Sequence, residues 1–230
     1  QADCELVVIV SPDNTHEEVA CACLRAGKHI RLEKPLAITP AGCARIQRAH
    51  AESGKLLQIG LELRYASPTR QMRAWLPRLG QLKMLTCEEF RPPFLPKRGL
   101  VNDWITKKAY TGGTLLEKNC HHFDLFNWFA GARPVSVYAS GDGLVEYRET
   151  DILDNAFVTV EYESGVRTML ALCLFAPKKI AGSSLNELEM GLLGDAGRLE
   201  LRGDDVLLWD RGSGEEENWH YARENFEAHS

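Results

Sequence analysis

Two groups of residues in this 230-residue chain have the types and spacing of a proton-transfer site. The first is Glu33-Lys34-Pro35, a charged tripeptide at the end of a short apolar run. A lysine placed there can be desolvated, and a lowered pKa suits it to proton chemistry. Pro35 restricts the backbone and is a candidate for a cis peptide that sets the lysine's direction. The second group is Glu117, His121 and Asp124 within the run Thr111–Asp124. Residues spaced by four and then three share one face of a helix. A carboxylate one turn from an imidazole fixes its tautomer and raises its basicity, which is what a general base needs. Plainer readings compete with both: a salt-bridged turn for the first, a surface pair or a core-satisfied histidine for the second. Glu117, His121 and His122 would also suit zinc, but no further ligand follows at a recognisable spacing, so no metal is expected.

The elements around these residues determine whether they can meet. Leu6–Ile9 is a continuous apolar run, as in a parallel strand buried on both faces. His16–Ala26 has helical periodicity closed by Gly27, and His29–Leu32 reads as a second strand. Thr39-Pro40 marks a helix start, with a capping hydroxyl before a first-turn proline, and that helix closes at Gly54. Lys55–Gly60 is a third strand. Strands alternating with helices predict right-handed βαβ units on a parallel sheet. In such sheets ligands bind outside the carboxyl ends of the strands. The turn Ser11-Pro12-Asp13-Asn14-Thr15-His16 and the tripeptide Glu33–Pro35 therefore border one crevice, with Thr15 or Asn14 also capping the following helix. Arg64 and Tyr65, just after the third strand, are candidates to line it; a structural role suits them equally. Trp104 is a candidate to pack on a flat ring or to anchor its loop.

Beyond residue 61 the pattern changes. A helix is expected over Ser67–Leu76, a strand over Leu82–Phe90, a long irregular loop over Arg91–Gly112 and one helix over Gly113–Ala130. Six strands follow: Pro134–Gly141, Ala156–Glu163, Val166–Phe175, Glu187–Leu193, Arg198–Arg202 and Val206–Asp210. Their close spacing predicts an antiparallel sheet. The fold class is thus α/β: an incomplete Rossmann-type parallel sheet over residues 1–62, then an α+β domain with a large, mostly antiparallel open sheet over residues 63–230. In a Rossmann order the strand Leu6–Ile9 lies beside a first strand this sequence lacks, so roughly 60–80 further N-terminal residues are expected in the natural protein.

Composition excludes several classes. The net charge of −5, with no basic run longer than a pair, argues against nucleic acid. No apolar run approaches the roughly 18 residues of a membrane span. Seven scattered cysteines without C-x-x-C spacing suggest reduced thiols in a cytoplasmic protein. One main helix cannot cover both faces of so large a sheet, so a homodimer or homotetramer packed sheet on sheet is expected.

Together these residues resemble the glucose-fructose oxidoreductase, inositol dehydrogenase and rhizopine-catabolism family (Gfo/Idh/MocA). Val7–Pro35, with Ala26-Gly27-Lys28-His29 inside it, is similar to the family's strand-(T/S)-P-x-x-x-H-helix-A-G-K-H-strand-E-K-P block. Gly112–Asp124 is similar to its G-G-x-L-x-(D)-x-x-x-H-x-x-D helix, with Glu117 where many members have aspartate. The resemblance implies an oxidoreductase using NAD or NADP on a sugar, cyclitol or related polyol. It implies Lys34 and His121 as catalytic residues that also contact substrate, with Glu117 orienting His121 and Tyr65 beside the substrate. It implies cofactor contacts from Ser11, Pro12, Asn14, His16, Glu33, Lys34, Pro35, Arg64 and Trp104. No G-x-G-x-x-G loop occurs in the sequence. Two alternatives remain open: redox-neutral, NAD-dependent glycoside hydrolysis, and a non-catalytic binding or assembly protein.

Overall fold

Strand β1 (Leu6–Ile9) leads through a 3-10 turn, Asp13–Thr15, into helix α1 (His16–Arg25) and strand β2 (His29–Leu32). This is a computed structural model; it describes residues 4–93, 103–177 and 188–221. Helix α2 (Pro40–Ser53) and strand β3 (Leu57–Ile59) complete a parallel sheet of order β1-β2-β3. The local causes are legible. Thr39 Oγ1 accepts from the Gly42 amide at 3.0 Å, Pro40 opens the helix, and Gly54 closes it in the left-handed region at φ 62°. Ile9, Leu24, Ile30, Leu32 and Ile46 pack into one buried cluster. Burying each such side chain contributes about 1.5–3 kcal/mol before entropy is counted.

Two expectations change here. Leu6 and Val8 are exposed at 57% and 56%, and only Ile9 of β1 is buried, because no described residue packs over the face of β1 that carries Leu6 and Val8. The expected side-chain cap on α1 is also absent. Thr15 Oγ1 turns back to donate to the Pro12 carbonyl at 2.7 Å and sits 2.6 Å from Ser11 Oγ, and no side-chain cap bond forms.

Helix α3 (Ser67–Trp75) and strand β4 (Leu82–Phe90) follow. Residues 94–102 of the expected irregular loop lie outside the described residues. The rest of it is ordered into a 3-10 turn, Asp103–Thr106, and a short helix α4 (Lys108–Thr111). The expected single helix is two: α5 (Thr114–Glu117) and α6 (Cys120–Ala130). The Glu117 carbonyl, which a continuous helix would use for its own ladder, accepts from Lys34 Nζ at 2.7 Å.

Strands β5 (Pro134–Asp142), β6 (Asn155–Tyr162), β7 (Arg167–Cys173), β8 (Leu188–Gly194), β9 (Gly197–Arg202), β10 (Asp205–Asp210) and β11 (Glu216–His220) form the second sheet with β4. Its order is β11-β10-β9-β8-β4-β7-β6-β5. Every pairing is antiparallel except β4 with β7. The six-strand expectation missed β11, whose residues Glu216, Glu217, Asn218, Trp219 and His220 lack an apolar alternation, and it missed that β4 sits at the centre.

By contact, the described residues fall into two compact units. One comprises 4–62, 103–121 and 149–153; the other comprises 63–93, 122–148, 154–177 and 188–221. In the second unit Leu85, Cys87, Val158, Tyr162, Leu170 and Leu199 are buried beneath helical residues such as Leu125, Phe126 and Met72. Tyr162 Oη lies 2.9 Å from Asn127 Oδ1, which fastens α6 to β6. No helix among the described residues is long and apolar enough to cross a membrane.

Candidate active site

The first unit brings three chain segments together at the carboxyl ends of β1 and β2. They are the turn Asp13–Thr15, the tripeptide Glu33–Pro35, and α5 with the first two residues of α6, Cys120 and His121. Gly112 and Gly113 make the last approach possible. Both have positive φ, 75° and 100°, and a Cβ on Gly112 would come within 3.1 Å of the Ile38 carbonyl oxygen.

Lys34 is the hub. Its Nζ donates to Glu117 Oε1 at 2.6 Å and to the Glu117 carbonyl at 2.7 Å, so one residue grips the ammonium at two points. An ammonium has three N–H donors, which leaves one for a ligand. The side chain is 20% exposed, so this donor can still be reached. Burial alone would lower the Lys34 pKa, but the Glu117 charge and hydrogen bond outweigh it and hold the ammonium above the ordinary lysine value. The expectation of a lowered lysine pKa is therefore corrected. Lys34 is a fixed positive charge and hydrogen-bond donor. The Lys34–Pro35 peptide is cis.

His121 is buried at 6% exposure, and its Nε2 lies 3.7 Å from Glu62 Oε1. The carboxylates expected to orient it are engaged elsewhere. Glu117 faces Lys34, because the helix breaks between Glu117 and His121 and the shared face is lost. Within the second unit Asp124 takes a two-pronged pair from Arg64, Nε to Oδ2 at 2.5 Å and Nη2 to Oδ1 at 2.6 Å. The Arg64 guanidinium also lies 5.7 Å from the Trp128 ring centre. Arg64 thus has a structural employment, and Tyr65 beside it is 64% exposed.

The remaining candidates separate into two kinds. His16 is fully buried, with Nδ1 2.7 Å from the Pro35 carbonyl and Nε2 3.0 Å from the Ser11 carbonyl. It ties the two strand-end turns together through both ring nitrogens. Pro35 is buried, while Pro12 and Asn14 are exposed. Glu33 lies over Gly60, close enough that a Cβ there would meet its Oε2 at 2.8 Å. Trp104 is half-buried in the 3-10 turn Asp103–Thr106.

Three residues in the site escaped the sequence reading. Asp13, in the turn after β1, is 5% exposed, and its Oδ2 has no hydrogen-bond partner. Glu62 places Oε1 3.7 Å from His121 Nε2. Cys120 lies 3.7 Å through its Sγ from the Glu117 carbonyl; burial pushes its thiol up to about 12, with Lys34 pulling the other way, so it stays a thiol. Only Asp13 had a signal: a carboxylate beside a strand end that already held other candidates.

A fixed ammonium with a spare donor, a buried imidazole and an uncommitted carboxyl oxygen can hold a polar oxygen and move a proton to or from it. These groups also fit the polar ring end of a dinucleotide, whose phosphates would need a loop this sequence does not contain.

Comparison with known proteins gives this arrangement a context. Residues 1–61 match the oxidoreductase family with the NAD-binding Rossmann fold, and residues 69–200 match the GFO/IDH/MocA C-terminal domain. An inositol 2-dehydrogenase of Saccharopolyspora erythraea is 33% identical over 171 residues, 72% of this chain and 46% of that protein. A myo-inositol 2-dehydrogenase of Thermotoga maritima is 28% identical over 167 residues, 70% of this chain and 47% of that protein. The chain spans about half the length of these curated relatives. An oxidoreductase domain protein of Kribbella flavida superposes with a TM-score of 0.80 at 20% identity, covering 96% of this chain and 62% of that one. An inositol dehydrogenase homologue of Azotobacter vinelandii, solved with NAD+, gives 0.78 at 19% identity, covering 94% and 57%. The two domain matches occupy the chain in order and cover most of its length: it belongs to the GFO/IDH/MocA oxidoreductase family.

Proposed function

We propose that the full-length protein is an NAD(P)-dependent dehydrogenase or reductase acting on a secondary alcohol of a cyclitol, sugar or related polyol. The observation that carries this reading is the Lys34 ammonium, gripped twice by Glu117 with one donor to spare. A bound nicotinamide supplies the hydride chemistry. Lys34 donates to the substrate oxygen and stabilises negative charge as it develops there. His121 takes or returns the hydroxyl proton, and the Glu62 carboxylate 3.7 Å away favours the imidazolium that forms. Glu117 fixes the lysine. Kinship with proteins named inositol 2-dehydrogenase makes myo-inositol and its stereoisomers the first substrates to assay. Replacing Lys34 or His121 by Ala in the full-length protein is expected to lower kcat at least about 10²-fold, the low end for acid–base groups. Both variants turning over at the wild-type rate would sink the assignment.

The same protein is proposed to assemble through its large sheet. Register places Met84, Tyr138 and Phe157 on one sheet face, exposed at 50%, 70% and 61%. Such a face marks an interface. Phe157→Asp is expected to convert a dimer or tetramer into smaller species in light scattering. A wild-type monomer at micromolar concentration would refute the assembly.

A further inference from the structure

We propose that Asp13 is a proton-holding positioning residue of the Lys34–Glu117 site: its carboxyl stays neutral beside the intact ion pair and ionises when positive charge is added to the site. The geometry is specific. Asp13 is 5% exposed in the turn after β1, and Oδ2 has no hydrogen-bond partner. The Lys34 charge and one backbone N–H favour the ionised form, but burial and the Glu117 carboxylate outweigh them. Lys34 and Glu117 already balance each other, so an ionised Asp13 would leave the cluster with one surplus negative charge in a place cut off from solvent. A neutral carboxylic acid removes that surplus, and its hydroxyl is a hydrogen-bond donor that an ionised aspartate lacks.

The charged surroundings agree. Burial raises the Asp13 pKa to about 7; the Glu117 carboxylate adds to this, and Lys34 opposes it. Cys120, on α6, stays neutral at this pH. Helix α4, packed against the turn, carries Lys108 and Tyr110. Helix α1, which follows the turn, carries His16, held between two carbonyls, and Glu17, paired with Arg45.

The consequence for function rests on the dehydrogenase reading. An oxidised nicotinamide ring is a cation and a reduced one is neutral. A cationic ring placed at this site would draw the proton off Asp13, so its binding would release a proton and tighten as pH rises. A neutral ring would show no such dependence. Asp13 would then set which redox form of the cofactor the site prefers at a given pH.

The ligand-free part is tested by thermal unfolding of wild type and Asp13→Asn across pH. A raised acid pKa in the folded state favours folding only while the group stays protonated. Stability is therefore lost as pH climbs from the unfolded value near 4 to about 7, and the loss is complete above that. Asn is neutral throughout. The midpoint gain of Asp13→Asn over wild type is expected to be small at pH 4.5, to grow to roughly 5 °C by pH 7.5 and to stay flat beyond. A gain or loss that does not vary with pH would overturn the proposal. Glu117→Gln gives an independent check, since removing that charge must move the pH-dependent window of the wild-type Asp13 to lower pH; an unmoved window also overturns it. Calorimetry on the full-length protein reads the second part. NAD+ affinity is expected to rise several-fold, up to a ceiling of about tenfold set by one proton, between pH 6 and 8.5 in wild type, NADH affinity to stay level, and both to be level in Asp13→Asn. Equal NAD+ slopes in the two proteins would overturn the coupling to charge. Failure of either nucleotide to bind would count against the dehydrogenase reading, while the unfolding profile still decides whether Asp13 holds a proton.

Discussion

Asp13 and Asp154 are both aspartates withdrawn from water, one in each compact unit, and they hold protons with opposite strength. Asp154 is fully buried yet its carboxyl is held down at about 2, and Asp13 is raised to about 7. The difference is in their donors. Burial pushes Asp154 up as well, but the Asn155 side chain and the preceding backbone amides overcome it. The Asp154 oxygens accept from the amides of Leu144, Val145, Glu146 and Tyr147 at 3.0, 2.8, 2.8 and 3.1 Å, and from Asn155 Nδ2 at 3.0 Å. The Asp13 Oδ2 has none. Accessible surface alone therefore does not decide charge in this molecule; Asp13 carries the heavier burial penalty, and the supply of N–H groups holds Asp154 down. One carboxylate organises a loop, while the other keeps its capacity for a proton.

The same substitution at the two positions should have opposite signs. Asp154→Asn is expected to destabilise the protein by about 2 kcal/mol near neutral pH, because an amide cannot accept as four converging N–H groups require. Since the folded-state pKa of Asp154 is depressed, its contribution is present above about pH 4 and is lost as pH falls through 2. Urea unfolding at pH 7 and at pH 2.5 checks this: the penalty should be large at the first and mostly gone at the second. An equal penalty at both would mean that shape, and not charge, holds the Leu144–Tyr147 loop. A smaller effect sharpens the point. Asn155→Ala removes one of five donors and should cost about 1 kcal/mol, while raising the pH of acid unfolding slightly. No effect would show that the backbone amides carry Asp154 alone.

How far these features could be read from sequence depends on how local their causes are. Strands β1 and β2 and helix α2 were legible to within a residue, because apolar runs, Thr39-Pro40 and Gly54 act over short spans. Lys34, Glu117 and His121 were legible as candidates, and the structure brings Lys34 to Glu117. Their pairing was not legible. Helical spacing joined Glu117 to His121 and Asp124, whereas Lys34, 83 residues earlier, takes Glu117, and Arg64 takes Asp124. Long-range partners break a helix that periodicity would continue. The direction of the lysine's pKa failed for the same reason: burial was foreseeable, the carboxylate facing it was not. Asp13 was read as part of a turn because its withdrawal from water depends on segments far along the chain.

Strand β4 carries a cost in time. It ends at residue 90, while the strands on its two sides, β7 and β8, end at residues 173 and 194. On a ribosome adding about 5–20 residues per second, β4 waits roughly 4–20 s with neither edge paired. Strands β5–β7 and β8–β11 can each zip up with near neighbours in sequence; β4 must then enter between the two ribbons and join them. Its outward residues suit that wait. Lys83 and Glu88 sit among its apolar positions, and charges on an unpaired strand discourage it from pairing with another chain. The centre of the finished sheet is thus among its first strands to be synthesised and depends on the last of its neighbours to arrive.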